Sequence, residues 1–257
     1  MKKIFLILII GLCSSIMAQS ELKTTSTKHE ETYKKFTSGE DVINWWSELY
    51  NGLILSKEEK DIIYQYTFGD FVVINDKLRN GFSVSSLDEK QKNMVSRLDK
   101  ALSKTIIFEN IQVYRYETLG FLTKLIDKNL LHNIYKNGKF TDKAQHYLEA
   151  LNHKKYKDYG FMSTTAIRNS VFQSRPIELI IKVPKYSSTT FVSLKDLAAF
   201  PTQYELLFPR DRVITIEKYE ISNDKNKLTI YTKMTPPCYI NQKCEEEKVD
   251  NLKQPKN

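Results

Sequence analysis

Glycine is scarce in this chain, 8 of 257 residues, and no two lie close together. That excludes a glycine-rich phosphate loop and the glycine fingerprint of a dinucleotide-binding βαβ unit. A Gly-x-Ser-x-Gly nucleophile elbow is missing, as is a helix with paired histidines at zinc-ligand spacing. The sequence has 4 histidines, and His146 and His153 do not share a helical face at ligand spacing, so no metal is expected. No long apolar run occurs beyond the first residues, so no membrane anchor is expected. The charge is not of one sign: 39 Lys and Arg against 31 Asp and Glu give +8, with the lysines scattered among acids rather than massed in a block. That pattern describes a solvated surface, and no nucleic-acid partner is expected.

What is present begins with a secretion signal. Lys2 and Lys3 precede an apolar run from Ile4 to Leu12, and Ala18 closes a plausible cleavage region, giving a signal peptide over 1–18. Cys13 falls inside it. The even pair left, Cys238 and Cys244, is expected to form a short-loop disulfide in an oxidising compartment. Residues 19–38 are polar and expected to be loose, residues 39–235 form one domain, and 236–257 read as a polar C-terminal appendage. Hydrophobic residues at 41% and aromatics at 12% suffice for a packed core.

The first half has helical periodicity. Val42, Trp45, Trp46 and Leu49 share a face; Ser56 with Glu59 matches a capping box; Phe71, Ile74 and Leu78 form a helix stopped at Asn80-Gly81. Asp88 with Gln91 opens another helix, and Thr141 to Leu151 reads as one more. Strand chemistry follows at Ile177–Val183, Thr189–Leu194, Tyr204–Phe208, Val213–Ile221 and Lys227–Lys233, the last two joined by a turn at Ser222–Asn226. Helices first and strands after predict an α+β domain.

Three segments carry candidate chemistry. Val113-Tyr114-Arg115-Tyr116-Glu117 alternates as a strand; Gly160-Phe161-Met162-Ser163-Thr164-Thr165 ends in hydroxyls; Phe200-Pro201-Thr202-Gln203-Tyr204-Glu205 places an amide and a carboxylate two apart at a strand start. Side chains two apart in a strand face the same side, so Gln203 and Glu205 could meet one ligand. Taken singly, each segment has an ordinary explanation: an Arg115–Glu117 surface ion pair, a hydroxyl-rich β edge, a half-exposed strand. Together and in order they resemble the arginine, Ser-Thr-Ser and Gln-x-Glu signature of secreted bacterial mono-ADP-ribosyltransferases. The likeness is to the small Rho-inactivating exoenzymes of clostridial type, and it runs roughly from Asp41 to Lys233.

The resemblance implies a helical N-terminal part packed on a mixed or antiparallel β-sandwich, NAD as co-substrate, and a secreted, monomeric toxin. It implies transfer of ADP-ribose to a host protein, an asparagine of a Rho-type GTPase, with arginine or DNA guanine as alternative acceptors and an inactive binding module as the non-enzymatic alternative. Catalysis then rests on Glu205, Gln203, Ser163 and Arg115. Glu205 would stabilise positive charge developing on the ribose, Ser163 would hold the Glu205 rotamer, and Gln203 would pair with the acceptor amide. Asn75, Arg79, Arg115, Thr164, Phe172, Arg175 and Glu205 are expected to contact NAD, arginines serving the phosphates and Phe172 the ring. Phe200 and Gln203 are expected to recognise the target. Thr165 stands where the family has serine, and Tyr116 where many members have glycine or another residue after the arginine. On residue pattern alone, Arg79 would be only a helix-end cation.

Overall fold

Local hydrogen bonding starts three of the four longer helices in the computed structural model, which describes residues 31–50, 55–168, 171–194, 197–237 and 250. The signal segment and both Cys238 and Cys244 lie outside the described residues. Ser38 opens α1 (Gly39–Tyr50): its hydroxyl accepts the Asp41 N–H at 3.1 Å, while the Asp41 carboxylate accepts the N–H of Thr37 at 3.1 Å. This satisfies backbone donors that have no partner in the first turn. The expected capping box is present at α2 (Lys57–Gln65), with Ser56 accepting from Glu59 N at 3.3 Å and the Glu59 carboxylate accepting from Ser56 N at 2.8 Å. Glu59 also takes Lys104 Nζ at 2.6 Å, so the cap is tied to α4 (Glu89–Leu102), which Asp88 caps through Gln91 N. Ser56→Ala is expected to cost about 0.5–2 kcal/mol, read as a lower urea midpoint with unchanged slope. Between α2 and α3 (Phe71–Arg79) the chain makes a wide π-type turn over Tyr66–Asp70.

Residues from Thr32 onward form one unit built on a mixed eight-stranded sheet. In chain order the strands are β1 (Ile111–Glu117), β2 (Tyr135–Lys136), β3 (Lys139–Phe140), β4 (Lys155–Asp158), β5 (Met162–Thr165), β6 (Ile177–Val183), β7 (Thr190–Phe191), β8 (Glu205–Phe208), β9 (Arg212–Ile221) and β10 (Leu228–Met234). The large sheet runs β4-β9-β10-β6-β1-β5-β8-β7, and β2 pairs with β3 alone. Among the described strands, β6 and β10 alone pair in parallel with each other, and Lys34 makes an isolated parallel bridge to Ile111. The apolar run of β6 is buried at nearly every position, as a central strand flanked by β10 and β1 requires. The α+β class is as expected, and eight of the described strands form one continuous hydrogen-bonded sheet. One core joins Trp45 and Trp46 of α1 to Val113, Leu179, Phe208 and Ile230; another joins Ile63, Ile74 and Leu98 to Phe161 and Leu207.

Several expectations change. Within 19–38, Lys34 bonds to Asn110 O at 2.9 Å and its carbonyl accepts Gln112 N at 2.8 Å, while Phe36 is buried against Trp45. The start of β1 offers unpaired backbone groups, and this segment takes them. Asp250 likewise bonds the edge strand β4: its N–H donates to Lys155 O at 2.7 Å, and its carboxylate accepts Lys155 N at 2.8 Å. The helix expected over Thr141–Leu151 is shorter, α6 (Ala144–Leu148) followed by a 3₁₀ turn, and the strand expected over Thr189–Leu194 is reduced to β7. A short helix, α5 (Leu131–Ile134), precedes β2. The Ser222–Asn226 hairpin turn forms as read, with Lys225 at φ 60°.

Candidate active site

A cleft of about 400 Å³ opens where α3 and the π turn meet β1, β5 and β8. Asn75, Arg79, Arg115, Ser163, Thr164, Phe172, Arg175, Phe200, Gln203 and Glu205 all line it, although the chain separates the first from the last by more than half its length. Its polar floor is an ion-pair array that no sequence motif suggested. Asp158, 1% exposed, accepts Arg79 Nε at 2.7 Å through Oδ1 and Arg79 Nη2 at 3.0 Å through Oδ2, and Arg115 Nη1 stands 3.4 Å from that same Oδ2. Burial alone would raise the Asp158 carboxyl, but the two guanidiniums outweigh it and hold it below the usual carboxylate range. Arg115 also pairs with Glu117 at 2.5 Å and donates to Ser163 O at 3.2 Å. The Arg115–Glu117 pair read from sequence therefore exists, as part of the cleft wall rather than an isolated surface contact.

Arg79 and Asn75 share the inner face of α3, as their spacing requires. The Asn75 side chain is spent on the protein: its amide donates to the Tyr66 hydroxyl at 2.8 Å and accepts the Phe161 N–H at 2.9 Å. Gly160 permits this contact, since a Cβ there would meet Asn75 Oδ1 at 2.6 Å. The hydroxyl of Thr164 donates to Leu206 O at 2.9 Å, so Thr164 presents mainly backbone to the cleft. Thr165 donates to Gln203 O at 2.9 Å and thereby holds the turn that carries the amide.

Gln203 does not sit on the strand. Pro201–Gln203 make a 3₁₀ turn, Tyr204 is left-handed at φ 47°, and β8 begins only at Glu205. Proline at the first turn position favours that curl over extension. Gln203 and Glu205 reach one cleft through this turn, not through strand alternation. The turn is anchored at Gly39, where a Cβ would lie 2.1 Å from the Tyr204 ring; only glycine allows the ring to pack there. The Glu205 N–H donates to Ser193 Oγ at 2.6 Å, and the Glu205 carboxylate is hydrogen-bonded by the Ser163 side chain. Burial pushes the Glu205 carboxyl above its ordinary value, against the opposing effects of Ser163 and the Arg115 charge. On the opposite lip, the Arg175 guanidinium lies 4.4 Å over the Phe172 ring and donates to Tyr116 O at 2.8 Å. Phe200 is 50% exposed at the rim.

Sequence reasoning missed Asp158, Tyr66 and the Gly39–Tyr204 contact. The acid two residues before Gly160 was the one available signal for Asp158, and its local contact, the Gly160 N–H at 3.1 Å, gives no hint of the distant arginines. The assembled cleft can do three things chemically. It offers guanidiniums to an anion, a half-buried carboxylate to a developing positive charge, and an amide beside it to a second reactant. Among the described residues no group of His, Cys, Asp and Glu could hold a metal ion.

Known proteins resemble this chain over most of its length. The family described as ADP-ribosyltransferase exoenzyme matches residues 35–236. An epidermal cell differentiation inhibitor of Staphylococcus aureus is 30% identical over 235 residues, covering 89% of this chain and 94% of the relative. A mono-ADP-ribosyltransferase C3 of a Clostridium botulinum D phage is 31% identical over 209 residues, covering 80% of each. Among solved structures, C3stau2 from S. aureus, determined with NAD, superposes with a TM-score of 0.73 at 28% identity, covering 81% of this chain and 100% of that one. The Clostridium limosum C3 exoenzyme gives 0.71 at 26% identity, covering 80% and 98%.

Proposed function

The chain belongs to the ADP-ribosyltransferase exoenzyme family, and from that premise we propose that it is secreted and modifies an asparagine of a Rho-type GTPase in host cells. Membership makes it an NAD-dependent mono-ADP-ribosyltransferase. The observation that carries the finer reading is the Glu205 carboxylate, bonded by Ser163 in the same cleft as Arg79, Arg115 and Arg175.

In this reading Arg79 and Arg115, aligned by Asp158, receive the pyrophosphate, since a guanidinium donates parallel hydrogen bonds to phosphate oxygens. Phe172 and Arg175 cover the nicotinamide end. The bond between ribose carbon and nicotinamide nitrogen breaks, and its electron pair leaves with nicotinamide. Glu205 holds the ribose hydroxyl and its charge opposes the positive charge growing on the sugar. Gln203 bonds the acceptor amide, whose nitrogen forms the new bond to the ribose carbon and loses a proton. Phe200, at the rim, meets the target protein, as exposed aromatics commonly do. Asn75 serves this site by fixing the Phe161 backbone and Tyr66.

The test is Gln203→Ala, assayed for nicotinamide release and for labelling of purified Rho-type GTPase. Labelling is expected to fall by about a hundredfold, the scale of a misplaced reactant, while NAD hydrolysis persists in part because water needs no amide partner. Parallel loss of both activities would show that Gln203 serves NAD and would remove the support for an asparagine acceptor.

A further inference from the structure

Phe172 and Arg175 reach the cleft from the connection between β5 and β6, and both described feet of that connection stand on Tyr116. Thr229, Glu178 and Tyr116 are register partners across β10, β6 and β1, so they form a row on one side of the sheet. Glu178 is 4% exposed and its carboxylate is saturated. Arg168 donates to it through Nε at 2.9 Å and Nη2 at 2.8 Å, the Tyr116 hydroxyl lies at 3.1 Å and Thr229 Oγ1 at 3.3 Å. The Tyr116 hydroxyl also contacts the carbonyl of Arg168. That is the first foot.

The second foot is Lys227. Its ammonium donates to the carbonyls of both Gln173 and Arg175 and stands 5.6 Å over the centre of the Tyr116 ring. Arg175 returns a hydrogen bond to the Tyr116 carbonyl at 2.8 Å, and Leu228 N–H donates to Pro176 O at 2.9 Å. Lys227, Arg168 and Glu178 do not line the cleft. They act only by fixing the backbone from which Phe172 and Arg175 project.

We propose that Lys227 and the Arg168–Glu178 pair are positioning residues, which set the affinity for a dinucleotide by holding Arg175 and Phe172 in their binding pose on Tyr116. The inference rests on the reading of Arg175 and Phe172 as NAD contacts. A side chain held in its bound pose loses less freedom on binding, and the cost per ordered side chain corresponds to about three- to tenfold in affinity. Tyr116 thus has a use: it is the post on which both feet rest.

The experiment measures KM and kcat for NAD hydrolysis, with hydrogen exchange of the 171–176 segment, in wild type, Lys227→Met, Lys227→Arg and Arg168→Gln. Lys227→Met and Arg168→Gln are expected to raise KM about three- to tenfold with kcat little changed, and Lys227→Met to speed exchange at the Arg175 amide. Lys227→Arg, which keeps a long cation able to meet two carbonyls, is expected to restore most of the KM. Unchanged KM and exchange in Lys227→Met overturn the proposal, as does a kcat loss at constant KM. If exchange speeds while KM stays constant, the clamp exists but Arg175 does not serve NAD; the reading of that residue fails instead, and the proposal with it. Wild-type protein that neither binds nor hydrolyses NAD would remove the functional reading itself.

Discussion

Glu205→Gln is expected to lower both NAD hydrolysis and transfer by about a hundred- to a thousandfold, the typical loss when a preorganised group facing transition-state charge is removed. The substitution keeps the shape and the hydrogen-bond reach of the side chain and removes only its negative charge. Near-normal nicotinamide release from purified, folded Glu205→Gln protein would refute the assignment. A pH profile adds a second check. The Glu205 carboxyl is raised by burial, with Ser163 and Arg115 pulling the other way. Since the ionised form is the active one, activity is present above the raised value and falls as pH drops through it. The acid limb of kcat/KM is therefore expected above the ordinary glutamate value of about 4.3. A limb at or below that value would count against Glu205 as the group being titrated.

Asp158→Asn is expected to be the most damaging single change to stability in the cleft. It leaves Arg79 and Arg115, whose side chains are 22% and 13% exposed, without their shared counter-charge. Removing one partner of a buried ion pair costs about 3–5 kcal/mol, and residual solvent contact of the two arginines places this case at the lower end. Because the Asp158 carboxyl is depressed in the folded protein, its stabilisation is fully present above the ordinary aspartate value and is lost as pH falls through the depressed one. Wild type should thus lose more stability than Asp158→Asn on acidification. Urea unfolding at neutral and acid pH measures both effects. A neutral-pH loss under about 1 kcal/mol would mean that solvent and the Glu117 carboxylate, not Asp158, compensate the two arginines.

Much of this protein was legible in its sequence because the deciding interactions are local or periodic. Ser56 and Glu59 cap each other across three positions, and Val42, Trp45 and Trp46 recur at helical spacing, so helix starts and buried faces follow from order alone. The arginine, Ser-Thr-Thr and Gln-x-Glu segments pointed to residues of the cleft because their types and order resemble a family signature, and the family model matches residues 35–236. Tertiary structure decided what such reasoning cannot reach. Asp158 meets Arg79 across 79 positions, and nothing near it in sequence marks it as a partner. Gln203 reaches the same cleft as Glu205 through a turn in which Tyr204 is left-handed and its ring packs at Gly39, a contact invisible to strand alternation. The order of the sheet places Thr229, Glu178 and Tyr116 side by side, and so makes one mount from three distant segments. Periodicity reports which face of an element is apolar; it carries no information about which distant charge that face will meet, because the meeting is set by the packing of the whole chain.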